Sequence, residues 1–90
     1  MQDSTYQISD EVLFQEIAGE AVLLDLDGEE YFGLNEVGTR VWQLLQNGES
    51  VNGMIGLLLE EYQVAEAQLR EDVEGLLSQF QERGLISAVT

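Results

Sequence analysis

Around Asn35 the hydrophobic pattern of this chain changes period, and that change limits the fold more than any other feature. Before it, apolar residues come in short runs suited to strands, which show alternate residues to opposite faces. Val12–Ile17 is one such run, closed by Ala18-Gly19. Glu20–Leu26 and Glu29–Leu34 follow, separated by Asp27-Gly28. Asp-Gly between two apolar runs predicts a tight hairpin, whose turn needs positive φ at both central residues. With that turn, Asp25 faces Glu30, Leu24 faces Tyr31 and Leu23 faces Phe32. Ala21, Leu23, Phe32 and Leu34 then share one face, with Val22, Leu24, Tyr31 and Gly33 on the other.

After Asn35 the spacing becomes helical. The Asn35 side chain suits an N-cap, and Val37, Val41, Leu44 and Leu45 follow at i, i+4, i+7, i+8 until Asn47-Gly48. Ser50 caps a second segment with the stripe Val51, Met54, Ile55, Leu58, Leu59 and Tyr62. Gly53 and Gly56 inside it each cost about 1 kcal/mol relative to Ala, and are explained either by close packing against another backbone or by a frayed, mobile helix. A third helix carries Leu69, Val73, Leu76, Leu77 and Phe80 on one face, with Arg83 and Gly84 at its end. Ala65 stands where a polar cap is expected. Leu85–Val89 reads as an extended tail. The expected fold is α+β and winged helix-turn-helix-like: a three-stranded antiparallel sheet followed by three helices, one domain over 1–90 with its core at about 12–86.

Composition removes most chemistries. The chain has no His, Cys or Lys, so common zinc sites, Cys or His nucleophile pairs, Schiff-base chemistry and the P-loop lysine are all unavailable. Carboxylates alone could bind calcium or perform glycosidase-type catalysis, but a chain this short has little room for a cleft beside its core. No enzyme activity and no cofactor is expected. The net charge of -15 repels nucleic acid and favours basic partners. That field argues against a DNA-binding winged helix, whose last helix would bring Glu66, Glu71, Asp72, Glu74 and Glu82 to the phosphates. No apolar run reaches the length of a membrane span, and Met1–Ser4 does not resemble a secretion signal; a cytoplasmic protein is expected.

Glu20–Asp25 (EAVLLD), Tyr31–Trp42 (YFGLNEVGTRVW), Gly48–Val51, Asp72-Val73 and Gly84-Leu85 occur in an order that resembles the PqqD-like family, the RiPP precursor peptide recognition elements. The similarity runs from about Val12 to Ile86. Its centre falls on Gly28, Tyr31, Leu34, Asn35, Gly38 and Trp42.

The resemblance implies a stand-alone, non-catalytic domain that takes the leader segment of a ribosomally made precursor peptide as an extra strand. The leader would lie between the third strand and the third helix and be delivered to a partner enzyme. It implies peptide contacts at Glu30, Tyr31, Phe32, Gly33 and Leu34 on the strand, and at Leu69, Asp72, Val73, Leu76 and Phe80 on the helix. Leu69, Val73, Leu76 and Phe80 also read as plain core, Gly33 as a bulge and Asp72 as one more solvated carboxylate. Tyr31 is exposed unless it packs on Leu24. The partner enzyme is expected to be a lasso-peptide leader peptidase; the alternatives are a radical SAM enzyme of quinone-cofactor biosynthesis, for which the chain would be a peptide chaperone, or a larger enzyme of which it is a structural subunit.

Overall fold

The computed structural model describes residues 4–18 and 20–89, so the expectations for Met1–Asp3 and Gly19 lie outside the described residues. Eight elements follow in order: β1 (Thr5–Ile8), β2 (Val12–Ile17), β3 (Glu20–Asp25), β4 (Glu30–Leu34), α1 (Glu36–Gln46), α2 (Val51–Glu61), α3 (Glu66–Glu82) and β5 (Ile86–Val89). Strands β2, β3 and β4 form an antiparallel sheet in that order. The α+β arrangement of three strands and three helices therefore stands.

An additional two-stranded sheet pairs β1 with β5, Thr5 opposite Val89 and Ile8 opposite Ile86. The extended tail expected at Leu85–Val89 is thus a paired strand, and β1 has no counterpart in the sequence pattern. A strand so short has little periodic signal, and its pairing partner lies at the far end of the chain. The backbone N–H of Val51 donates to the carbonyl of Ser4 at 2.9 Å, attaching the start of α2 to the residue before β1.

The β3–β4 hairpin has the expected register, with Asp25 opposite Glu30, Leu24 opposite Tyr31 and Leu23 opposite Phe32. Its turn differs. Leu26–Glu29 form a four-residue connection, and positive φ falls on Glu29 (55°) rather than on Asp27 and Gly28. Longer connections are commonly built around a type I turn, which keeps φ negative at its central residues. The Asp25 carboxylate organises the turn by accepting from the backbone N–H of Asp27 at 3.2 Å. A Cβ on Gly28 would stand 2.9 Å from the other Asp25 oxygen, so a larger residue there would displace the carboxylate that organises the turn.

Capping sets the helix boundaries. Asn35 accepts from the Gly38 N–H at 2.7 Å, and Ser50 accepts from the Gly53 N–H at 3.1 Å. A Cβ on Gly38 would crowd the Asn35 oxygen at 3.1 Å and Leu34 at 3.5 Å, so the cap and the glycine belong together. Ala65 precedes α3 without a side-chain cap bond. At the far end, Leu85 N–H donates to Phe80 O and Gly84 N–H to Gln81 O, with Gly84 at φ 74°. This is a Schellman termination, and it turns the chain from α3 into β5. A Cβ at Gly56 would meet nothing within 4 Å, and one at Gly53 would meet Glu49 and Ser50 side chains. Close approach of another backbone therefore does not explain either glycine.

The core sits between the inner face of the sheet and the helices. Leu23, Val41, Trp42, Met54, Leu58, Val73, Leu77 and Leu85 are all buried. Trp42 and Phe80 meet edge to face with ring centroids 5.3 Å apart, an arrangement favoured by aromatic quadrupoles. Phe32 and Leu34 pack against this core while Tyr31 points away, 74% exposed. Cross-strand contact with Leu24 thus leaves most of Tyr31 in solvent.

Candidate functional site

The outer edge of β4 pairs with no other strand among the described residues. Its backbone N–H and C=O groups on that side are a template for another extended chain. Gly33 is in regular register opposite Val22, so it is not a bulge. A Cβ on it would meet nothing within 4 Å.

Beside that edge runs α3, and the space between them forms a groove of two adjoining hollows. One, about 340 Å³, is lined by Tyr31–Leu34 and, across from them, by Leu76, Phe80, Arg83 and Leu85. The other, about 610 Å³, lies towards the start of α3, between Asn35 and Val37 on one side and Glu71, Asp72 and Gly75 on the other. Leu76 and Gln79 border both hollows.

The helix contributes two adjacent stripes with different fates. Leu69, Val73, Leu77 and Phe80 are at most 5% exposed and build the core. Asp72, Leu76, Gln79 and Arg83 follow at i, i+4, i+7, i+11 and line the groove. Leu69 and Val73 therefore support the groove from beneath without lining it. Phe80 does both, since its ring packs on Trp42 and still contributes to the smaller hollow. Leu76 is half-buried and Asp72 is exposed at the groove wall. Glu30 lies at the hairpin end, beside a separate hollow with Leu24, Leu26 and Tyr31.

Gln79, Gly75 and Arg83 were not among the residues singled out from sequence. A stripe of Asp, Leu, Gln and Arg carries no apolar signal, and only its offset of one residue from the core stripe would have revealed it. Gly75 is an exposed interior helix residue, and a Cβ there would meet nothing within 4 Å.

Groove charges are arranged unevenly. Glu71 and Asp72 stand at one end, and one Asp72 oxygen accepts from Gln68 Nε2 at 2.9 Å. At the other end the Arg83 guanidinium lies over the Phe32 ring, 4.6 Å from its centroid. The strongest ion pair is elsewhere. Arg40 donates through Nε and Nη2 to the two Glu61 oxygens at 2.8 and 2.6 Å, joining α1 to α2. Hydrogen bonding from Arg40 holds the Glu61 carboxyl below its ordinary pKa. Desolvation, followed by a hydrogen bond to Glu36 at 3.1 Å, raises the Tyr62 phenol. No group of three or more His, Cys, Asp or Glu positioned to hold a metal occurs among the described residues. No helix among them is long and apolar enough to cross a membrane.

Two solved structures resemble this chain closely. One is TbiB1 in complex with the TbiA(beta) leader peptide, 33% identical, with 90% of this chain and 94% of that one aligned at a TM-score of 0.84. Another is lasso peptide synthetase B1 complexed with the leader peptide, 26% identical, with 91% and 96% aligned and a TM-score of 0.84. No curated protein matches. Residues 20–86 match the family described as coenzyme PQQ synthesis protein D (PqqD), spanning the three-stranded sheet from β3 through the helices to the first residue of β5. On that match, covering most of its length, the chain belongs to the PqqD family.

Proposed function

We propose that this chain binds the leader segment of a ribosomally made precursor peptide in lasso-peptide biosynthesis, holding it as an added strand on β4 along α3. The observation that carries this reading is the unpaired β4 edge beside a groove floored by Leu76 and Phe80. Both similar solved structures are complexes with a leader peptide, which supports the same reading.

Of the six residues at the centre of the family pattern, one supports it independently. Gly28, Asn35 and Gly38 have local reasons in the turn and the cap, and Leu34 and Trp42 pack in or against the core. Tyr31 alone has no such reason and stands in solvent at the groove mouth. Strand addition gives affinity that depends little on peptide sequence, and selectivity comes from hollows that receive alternate side chains. Burying one aliphatic or aromatic anchor against Leu76 and Phe80 contributes about 1.5–3 kcal/mol. In this reading Tyr31–Leu34 present the pairing edge, Leu76 and Phe80 the apolar floor, and Asp72 a contact for a basic leader residue. Leu69 and Val73 hold α3 at the right distance, and Glu30 borders the entry.

The chain makes and breaks no covalent bond in this scheme. It acts in the cytoplasm as a winged helix-turn-helix-like carrier, with the hairpin as the wing, and passes the leader to a peptidase. The test is fluorescence anisotropy with a labelled leader taken from a precursor encoded beside this chain. Saturable binding by the isolated domain, with amide protection appearing along β4, is the expected result. Binding only when an enzyme is present would replace the reading with that of a structural subunit.

A further inference from the structure

Among the described residues, two of the three cations are engaged by carboxylates: Arg40 by Glu61, and Arg70 by Glu66. Arg83 has no carboxylate partner, although the chain carries 18 Asp and Glu residues. It terminates α3, where a cation suits the helix dipole. Its side chain nevertheless reaches across to β4, placing the guanidinium carbon 4.6 Å from the centre of the Phe32 ring. Contact with the ring holds the guanidinium in place, and among the described residues no carboxylate takes up its N–H donors, a planar set that matches a carboxylate. The exposed face of Arg83 forms part of the smaller hollow of the groove, together with Gly33, Leu76 and Phe80.

We infer that Arg83 is a specificity-determining residue that selects an Asp or Glu side chain in the bound strand, two positions from the residue seated on Leu76. The inference rests on the strand-addition reading above. The spacing comes from the pleat. Phe32 and Leu34 both face the helices, while Tyr31 and Gly33 face away. A guest strand in the same sheet alternates in the same way, so its inward residues lie beside Phe32 and Leu34. The one beside Leu34 meets Leu76 and Gln79, and the one beside Phe32 meets Arg83. Glu71 and Asp72 at the opposite end repel an acidic residue in the reverse placement, so the groove distinguishes a strand from its charge-exchanged isomer.

The experiment is a selection of random 12-residue peptides, displayed on phage, against the full chain and its Arg83→Glu and Arg83→Gln variants. Clones that also bind Leu76→Asp are discarded as binders outside the groove, and melting curves confirm that each variant is folded. Wild type is expected to enrich peptides with Asp or Glu two residues from an apolar anchor. Arg83→Glu is expected to enrich Lys or Arg there, and Arg83→Gln neither. Replacing the selected Glu by Gln in a synthetic peptide should weaken binding to wild type by about three- to tenfold, in the range of a charge-assisted contact at a partly exposed site. The same replacement should leave binding to Arg83→Gln unchanged. Groove-binding peptides with no charge preference at that position, or a preference indifferent to Arg83, overturn the inference and leave strand addition standing. Failure to recover any groove-dependent peptide overturns both.

Discussion

The three-stranded sheet has two outer edges, and they differ in what stands beside them. Among the described residues, neither β2 nor β4 has a partner on its outer side. Along β2 the outward residues Leu13 and Ile17 are exposed, and β2 lines neither hollow beside α3; along β4, α3 supplies a floor of Leu76 and Phe80 and charges at both ends. Backbone on an open edge is sequence-blind, so it attracts any extended chain equally. A helix at the right distance makes the same edge selective. The difference between the two edges is thus a difference in side chains that neither strand owns.

Four changes sharpen this comparison. The largest effect is expected from Phe80→Ala, which removes a ring shared by core and groove. It should cost about 3–5 kcal/mol of stability, read by denaturant titration. Leu76→Asp comes next: it should weaken leader binding about tenfold or more by anisotropy, through loss of an anchor contact, while the domain stays folded. Its counterpart on the other edge, Leu13→Asp, should alter leader affinity by less than about twofold, since an exposed residue away from the helix loses no buried contact. Equal losses from the two edges would remove the role assigned to α3.

In leader affinity, Glu61→Gln should produce the smallest change. It breaks a half-exposed ion pair distant from the groove, worth at most about 1 kcal/mol, without altering leader affinity. The sign with pH is fixed by the depressed pKa of Glu61. The pair's contribution is fully present at neutral pH and lost as pH falls through that lowered value. Melting temperatures of wild type and Glu61→Gln should therefore converge on acidification.

Much of the fold was legible because its determinants are local. Asn35 and Ser50 announce their helices by chemistry that acts within three residues, and the hairpin register follows from alternation on both strands. The turn lies where Asp27-Gly28 put it, but its conformation differs because Asp-Gly suits a tight connection by itself, whereas here the Asp25 side chain shapes a longer one. Strand β1 was invisible because its reason to exist is Ile86–Val89, at the other end of the chain. The site was legible as a place and only partly as a set of residues. Hydrophobic periodicity finds the stripe that a helix buries, so it pointed at Leu69 and Val73. The neighbouring stripe of Asp72, Gln79 and Arg83 lines hollows that stay open among the described residues, and burial patterns carry no trace of it.

Gly75 shows what such a surface asks of the helix that bears it. Alanine there would meet no obstacle and would make α3 sturdier by roughly 0.8–1 kcal/mol. It would also raise a methyl group into the passage beside Leu76. The domain keeps a softer helix, and the hollow beside Leu76 keeps the room that a methyl group would occupy.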